Sequence, residues 1–166
     1  MSGLAVVLAL VAVQRGVELA FAAANTRRLR ALGAYEVDPD GYKWIVILHA
    51  GWLAAMAATI PPATTPSWPL LAIYAALQLA RVWVVFSLGR RWTTRVLVLP
   101  QATLVRKGPY RLLRHPNYAV VVGEIAVLPL AFGAAAIAIL FSVGNLLLIL
   151  RRIRIEDAAL APQRAI

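Results

Sequence analysis

The polar residues best suited to chemistry lie between residues 104 and 118, a stretch rich in basic and aromatic side chains. Gly108-Pro109 is typical of a turn, and Pro116 suits the first turn of a helix, where its missing N–H costs nothing. The free backbone amides at that helix start would favour an anionic group of a ligand. The same basic stretch could instead lie beside a membrane and contact anionic lipids.

A second polar cluster begins at Arg151 and ends at Asp157. Within it, Arg152 and Glu156 are four residues apart, so they share one face of a helix. A guanidinium and a carboxylate on one face form either a ligand-binding pair or an intrahelical ion pair at the end of a membrane span. The spacing of this pair alone leaves both interpretations open.

The elements that must position these residues are apolar. The chain has 166 residues, of which 61% are hydrophobic and 14% charged, and its mean hydropathy is +0.75. A soluble domain is about 45–50% apolar and about 25% charged, and one of this size could not bury so much apolar surface. The composition therefore predicts an all-α integral membrane protein. The absence of cysteine excludes disulfides and thiolate metal sites, and we expect no metal.

Apolar runs separated by prolines predict about five transmembrane helices in a single membrane domain, residues 1–166. Residues 1–88 contain the first three runs, which are Gly3 to Ala24, Trp44 to Ile60 and Trp68 to Leu88. The run from Tyr118 to Leu150 is too long for one crossing of a hydrocarbon core of about 30 Å at about 1.5 Å per residue. We expect it to divide near Pro129 and Gly133 into a helical hairpin, 116–131 and 134–151.

The basic residues predict the orientation. All of the 17 Lys and Arg residues except Arg15 and Arg81 lie in three segments: 25–43, 89–117 and the tail after residue 150. In a five-helix arrangement these segments lie on one side, which the positive-inside rule makes cytoplasmic, together with the C-terminus. Because the charge flanks the membrane, we expect contact with lipids and none with nucleic acid. The expected location is the plasma membrane if the source is bacterial and the endoplasmic reticulum if it is eukaryotic.

Together the two polar clusters resemble the motifs of the isoprenylcysteine carboxyl methyltransferase family and its bacterial relatives. The family pattern is a Gly-x-Tyr turn, then Arg-His-Pro-x-Tyr, then, after a helical hairpin, Arg-x-x-x-Glu-Glu. Here the three motifs read Gly108-Pro109-Tyr110, Arg114-His115-Pro116-Asn117-Tyr118 and Arg152 to Asp157. The resemblance covers residues 89–160 and implies a C-terminal catalytic subdomain there, with a cofactor site at the cytoplasmic end of its helices.

The chain departs from the family pattern at Val120, where a glycine is usual, and at Asp157, where the second glutamate would be. Upstream, residues 90–95 and the segment from Asn25 to Glu36 look closest to small bacterial members found beside type III polyketide synthases. Some of those members act as alkylpyrone O-methyltransferases.

The resemblance implies a methyltransferase that uses S-adenosyl-L-methionine. The positions that match the family's cofactor site are Thr103, Leu104, Val105, Tyr110, His115, Pro116, Asn117, Tyr118 and Glu156. Arg152 matches the residue that faces the methyl acceptor and is the catalytic candidate. The residue types agree with these roles, because an aromatic face at Tyr110 or Tyr118 would stabilise the sulfonium cation. Glu156 could bind the cofactor's ammonium, and the guanidinium could orient an anionic acceptor oxygen.

Four polar residues inside the apolar runs are candidates for contact with the substrate: Arg15, Glu18, His49 and Arg81. Intramembrane charges usually face the interior of a bundle. Arg15 and Glu18 could form a wall of the acceptor pocket or a structural pair that fixes helix packing. Arg81 could do either with Gln78, or extend toward the membrane surface. His49 could act as a base or as a hydrogen-bonded packing residue, and Glu124 could face the cofactor cavity.

The expected reaction is O-methylation of an acidic hydroxyl on a lipophilic acceptor, such as an alkylpyrone, that enters from the bilayer. An acidic enol would already be ionised, so no strong base is needed. The second candidate is carboxyl methylation of an isoprenylated cysteine on a prenylated substrate. A function of another class is a non-enzymatic membrane subunit or a small transporter, which would use the intramembrane charges as a transport path. Binding of the cofactor would separate these classes.

Overall fold

The computed structural model describes residues 2–164. Five helices lie within that range: α1 (Gly3–Ala31), α2 (Pro39–Thr59), α3 (Trp68–Leu88), α4 (Pro116–Ala131) and α5 (Ala135–Arg164). Two short strands, β1 (Tyr35–Glu36) and β2 (Leu97–Val98), pair antiparallel. Single 3₁₀ turns occupy Gly89–Arg91 and Gly108–Arg111. The prediction of an all-α protein with five helices is thereby confirmed. The prediction that about five of them cross a membrane is supported for three of the described helices.

The helix bounds follow the apolar runs where proline and capping residues define them. α3 and α4 have the predicted bounds, since each begins with proline in its first turn. α2 begins at Pro39 rather than at Trp44, because the Asp38 side chain accepts a hydrogen bond from the Gly41 amide at 3.2 Å and caps the helix.

Hydropathy underestimated α1 and α5, which continue beyond their apolar runs to Ala31 and Arg164. The polar end of α1 is held by the protein, because Asn25 Nδ2 donates hydrogen bonds to the backbone oxygens of Gly89 and Trp92 at 3.1 and 2.8 Å. Because these hydrogen bonds satisfy a polar side chain beyond the apolar run, α1 can continue as a helix past its last apolar residues.

Three of the described helices, α1, α3 and α5, are long and apolar enough to cross a membrane. α4 has 16 residues, fewer than the 17–25 that a span usually needs. Large apolar side chains on the three long helices point outward and are between 64% and 78% exposed, among them Leu10, Val13, Leu79, Phe86, Ile139 and Leu140. Such a surface is suited to lipid rather than water.

The core of the bundle lies where α4 packs between α3 and α5. Ile125 and Leu128 of α4 are fully buried, together with Trp52 and Met56 of α2. Gly123 allows the close approach of α3, because a Cβ there would lie 3.0 Å from both terminal methyl carbons of Leu77. The glycine that the family pattern places at residue 120 is thus replaced by a buried valine, with a close helix contact three residues later.

The segment 89–115, which joins α3 to α4, folds over one end of the bundle and builds one side of the candidate site. Val96 of this segment accepts a hydrogen bond from the Val37 amide at 3.1 Å, and Leu99 accepts one from Gln163 Nε2 at 2.7 Å. Gly108 has a φ of +56°, and a Cβ there would collide with Ser87 Oγ of α3. The glycine therefore serves both the turn and its direct packing on α3.

Candidate active site

A cavity of about 1140 Å³ is lined by residues of all five helices and of the 89–115 segment. This volume is slightly above the range of about 300–1,000 Å³ that is usual for a small-molecule pocket. Its walls contain thirteen of the fourteen residues that the sequence assigned to the catalytic, cofactor or substrate site: Arg15, Glu18, His49, Arg81, Thr103, Leu104, Val105, Tyr110, His115, Asn117, Tyr118, Arg152 and Glu156. The exception, Pro116, is buried in the first turn of α4.

Tyr118 of α4 bridges the two charged residues of the α5 cluster. Its hydroxyl donates a hydrogen bond to Glu156 Oε2 and accepts one from Arg152 Nε at 2.9 Å. The two charges therefore share a neutral partner, and the intrahelical ion pair that the spacing allowed does not form between them.

Arg152 is buried, with 7% of its surface exposed, and two hydrogen bonds hold its guanidinium in place. In addition to the Tyr118 contact, its Nη2 donates to the backbone oxygen of Thr94 at 2.7 Å. Among the described residues, Nη1 of Arg152 has no hydrogen-bond partner. A guanidinium fixed on two sides, on the wall of a cavity, can present its remaining donor to an anionic oxygen.

His115 and Asp157 form a second connection between α4 and α5. His115 Nε2 lies 2.9 Å from Asp157 Oδ1, and its ring stacks on Tyr118 with the centroids 5.3 Å apart. Asp157, which replaces the second glutamate of the family pattern, thus makes the shorter contact with the histidine. Glu156 lines the cavity, and its Oε2 lies 3.8 Å from His115 Nδ1. His115 also covers one face of the Tyr118 ring, which leaves Tyr110 as the less encumbered aromatic candidate.

Tyr110 lies in the second 3₁₀ turn and lines the same end of the cavity as Glu156. Burial, followed by the negative charge of Glu156, raises the pKa of Tyr110 above its ordinary value. Like any tyrosine hydroxyl at physiological pH, that of Tyr110 is neutral and able to donate a hydrogen bond. Residues 103–105 belong to neither helix nor strand. The Thr103 oxygen accepts a hydrogen bond from Arg91 Nη1 at 2.6 Å, so the backbone groups of Leu104 and Val105 are the ones that can meet the polar edge of a ligand.

A network of buried charges lies at the other end of the cavity. Glu124 of α4, 1% exposed, accepts hydrogen bonds from Arg15 Nη2 at 2.6 Å and from Arg81 Nε and Gln78 Nε2, each at 2.8 Å. Glu18 accepts from Arg15 Nη1 at 2.9 Å and from Arg81 Nη1 at 3.3 Å. The two arginines and two glutamates balance in charge and connect α1, α3 and α4.

The contacts in this network distinguish between some of the alternatives that the sequence allowed for Arg15, Glu18 and Arg81. Arg81 is 3% exposed, so it does not extend toward the membrane surface. Arg15 and Glu18 pair as expected, and both also line the cavity, so they are structural and part of its wall. Glu124 belongs to the ion network, and the cavity wall does not include it. His49 lines the cavity with its Nδ1 at 2.8 Å from the Ile45 oxygen.

Sequence reasoning missed how far α5 extends along the cavity. Its wall residues recur every three or four positions: Asn145, Ile149, Arg152, Glu156, Leu160 and Gln163. They form one face of α5 about 27 Å long, at about 1.5 Å per residue. Asn145 could have been identified from the sequence as a cavity residue, because its helical spacing from Arg152 and Glu156 places all three on one face of α5.

Comparison with known proteins agrees with the motifs. The model of the isoprenylcysteine carboxyl methyltransferase family matches residues 70–162. The chain is similar to an uncharacterised protein of Bacillus subtilis (strain 168), YpbQ, with 38% identity over 157 residues, covering 92% of this chain and 94% of the relative. No solved structure matches the chain.

Proposed function

Because the chain belongs to the isoprenylcysteine carboxyl methyltransferase family and is thus a membrane methyltransferase, we propose that it methylates an acidic hydroxyl of a lipophilic acceptor, such as an alkylpyrone. The methyl donor is S-adenosyl-L-methionine. The observation that carries the proposal is the fixed, buried guanidinium of Arg152 on a cavity wall that also contains Glu156 and Tyr110. An anionic acceptor oxygen and a cationic donor need such groups side by side.

The residues at the loop end of the cavity fit the donor molecule. Glu156 supplies a carboxylate for the ammonium group, and the backbone of Leu104 and Val105 can meet the polar edge of an adenine. The neutral hydroxyl of Tyr110 can bind a ribose or carboxylate oxygen, and its ring can face the sulfonium. In the first turn of α4 the amides of Tyr118 and Ala119 donate to the His115 oxygen, so the Asn117 amide is the one left to favour the donor's carboxylate. When bound, the donor supplies a methyl group on a positively charged sulfur.

Methyl transfer is an in-line displacement in which the acceptor O–C bond forms as the S–C bond breaks. Arg152 holds the acceptor oxygen by Nη1, while Tyr118 and Thr94 prevent its guanidinium from turning away. Such positioning can account for most of the acceleration, because the reaction becomes effectively unimolecular. An enol that is already ionised needs no general base, and the apolar cavity walls exclude competing water.

The acceptor lies on the side of the cavity that α1 and α2 form. Its lining there is mainly aliphatic, with Leu19, Ile45, Val46 and Leu53 among the wall residues. We place the loop end in the cytoplasm by the positive-inside rule, with α4 and α5 as a hairpin that returns the chain to that side. A bacterial source would put the protein in the plasma membrane.

Carboxyl methylation of an isoprenylated cysteine is the second candidate. A carboxylate would bind the Arg152 guanidinium as well as an enolate does, and the family is described by that reaction. The test is transfer of a labelled methyl group by the purified protein in lipid nanodiscs, with a long-chain 4-hydroxy-2-pyrone and N-acetyl-S-farnesylcysteine as alternative acceptors. Label in the pyrone supports the proposal, label only in the farnesylcysteine selects the second candidate, and label in neither refutes both.

A further inference from the structure

The depth of residues along the cavity can be read from the contacts between α2 and α5. Gly41 of α2 lies against Arg151 of α5, and a Cβ on Gly144 would lie 3.1 Å from Leu48 Cδ1. As α2 advances from residue 41 to 48, α5 therefore recedes from 151 to 144, so the helices are antiparallel. His49, next to Leu48, is consequently about 12 Å deeper than Gly41 at about 1.5 Å per residue.

His49 and Asn145 therefore lie at one depth, roughly two helical turns from Arg152. Asn145 is seven residues before Arg152 on the same face of α5, which is about 10 Å along the helix. The Glu124 network lies at a similar depth, because Glu124 follows Tyr118 by six residues on α4, or about 9 Å. This end of the cavity is thus polar at a depth where an alkyl chain alone would be expected.

The chemistry of the two side chains is complementary. A carbonyl oxygen only accepts, so the contact between His49 Nδ1 and the Ile45 oxygen assigns the hydrogen to Nδ1 and leaves Nε2 as an acceptor. Asn145 is 2% exposed, and its Nδ2 has no hydrogen-bond partner among the described residues. Both residues line the cavity, and a half-turn of the flat amide brings either of its ends toward the cavity.

We propose that His49 and Asn145 form a second polar subsite, which binds a neutral hydroxyl group of the methyl acceptor. The hydroxyl donates to His49 Nε2 and accepts from the Asn145 amide, so it satisfies both. A neutral group fits better than an anion, because the neighbouring charges of Arg15, Arg81, Glu18 and Glu124 balance. This inference rests on the proposed function and adds a feature of the substrate, a polar group about 10 Å from the reacting oxygen.

The reacting hydroxyl itself does not occupy this subsite. Arg152 and Glu156, which hold the reacting groups in the proposed function, lie two to three turns nearer the loop end of α5. His49 would be too far from the reacting hydroxyl of the acceptor to take its proton directly. The subsite therefore contributes to binding of the acceptor and not to the methyl transfer step. Its contribution is measured as the affinity for the acceptor.

The experiment compares two long-chain 4-hydroxy-2-pyrones, one with a hydroxyl on the alkyl chain about eight carbons from the ring and one without it. Their affinities for protein saturated with S-adenosylhomocysteine are measured by calorimetry, and their turnover is measured separately. The wild type should bind the hydroxylated pyrone about tenfold more tightly, because the free energy of one buried hydrogen bond corresponds to about a tenfold change in affinity. Asn145→Leu should abolish the preference while retaining its affinity for S-adenosylhomocysteine.

Ser142→Ala is the matched control. Ser142 is on the same helix, and its buried Oγ has no hydrogen-bond partner within residues 2–164. The cavity wall does not include Ser142, so the preference should persist. Equal affinity of the wild type for the two pyrones, including binding of neither, would overturn the subsite. A preference that survives in Asn145→Leu would do the same. Failure of turnover with a preserved binding preference would instead refute the proposed function and leave the subsite supported.

Discussion

The hydroxyl of Tyr118, in the first turn of α4, donates a hydrogen bond to the carboxylate of Glu156, which lies 38 residues later on α5. The same hydroxyl accepts from Arg152 Nε at 2.9 Å. One tyrosine thus fixes the relative positions of the group assigned to the methyl donor and the group assigned to the acceptor. The two helices that carry the motifs are joined through the chemistry of the site itself.

Removal of this hydroxyl should disturb turnover more than folding. Tyr118→Phe leaves the ring and its stacking on His115 but frees both charged side chains. We expect kcat to fall about tenfold to a hundredfold, because each hydrogen bond to a charged group contributes about 1.5–3 kcal/mol. Labelled-methyl transfer measures the effect. Tyr35→Phe, at a half-exposed strand residue outside the cavity, is the control, and equal losses in the two variants would contradict the assignment.

Arg152 should act on the acceptor and not on the donor. Arg152→Ala is expected to lower kcat about a hundredfold or more, as loss of one fixed donor to a developing or anionic oxygen does, with the affinity for S-adenosylhomocysteine largely unchanged. Arg154→Ala provides the comparison, since Arg154 is exposed on the same helix and is absent from the cavity wall. Unchanged turnover in Arg152→Ala would remove it from the mechanism.

The Glu124 network should contribute to stability. Glu124→Gln removes the more buried of the two carboxylates that Arg15 and Arg81 share and leaves Glu18 alone to balance both guanidinium groups. Loss of one partner from a buried ion pair should cost about 3–5 kcal/mol. The expected result is a lowered midpoint of thermal unfolding in detergent. A double variant, Arg81→Met with Glu124→Met, removes both charges of the most buried pair and should recover part of the loss. A single variant as stable as the wild type would show that the network does not hold the helices.

The ion pair between Asp38 and Arg151 should make stability dependent on acidic pH. Arg151 donates to the two carboxylate oxygens of Asp38 at 2.7 and 3.0 Å, and this hydrogen bonding is the main cause that lowers the pKa of Asp38 below its ordinary value. The stabilisation is therefore present above the unfolded pKa of about 3.9 and is lost as the pH falls through the lower folded value.

Asp38→Asn tests this contribution, because asparagine still caps α2 but carries no charge. The unfolding midpoint of the wild type should decrease more steeply below about pH 4 than that of the variant. Parallel profiles would show that the pair contributes nothing, as is common for exposed ion pairs.

The parts of this architecture that could be predicted from sequence are those with local causes. The bounds of α3 and α4 follow from an apolar run that opens with a proline. The convergence of the loop residues 103–105 with Tyr110 and Glu156 was implied only by the family resemblance, because it depends on how a segment without regular structure folds over the bundle. The continuation of α5 past Leu150 was missed because hydropathy reports lipid contact and not the helix itself.

Relationships between distant helices could not be predicted from local patterns. The pairing of Arg81 with Glu124 depends on the packing of α3 against α4, and each residue has several polar candidates at suitable depth. The common depth of His49 and Asn145 depends on the antiparallel register of α2 and α5, which close contacts at glycines determine. A single polar residue in an apolar run indicates a special position but not its partner.

The most direct test of the central claim is calorimetric titration of the purified protein with S-adenosylhomocysteine, for the wild type, Glu156→Gln and Asp40→Asn. Asp40 is an exposed carboxylate outside the cavity, so it controls for loss of a negative charge. We expect saturable micromolar binding to the wild type and to Asp40→Asn, weakened at least about tenfold in Glu156→Gln, because an amide cannot neutralise the ammonium group. Absence of binding in folded, monodisperse wild type, or equal binding by all three proteins, would contradict the central claim.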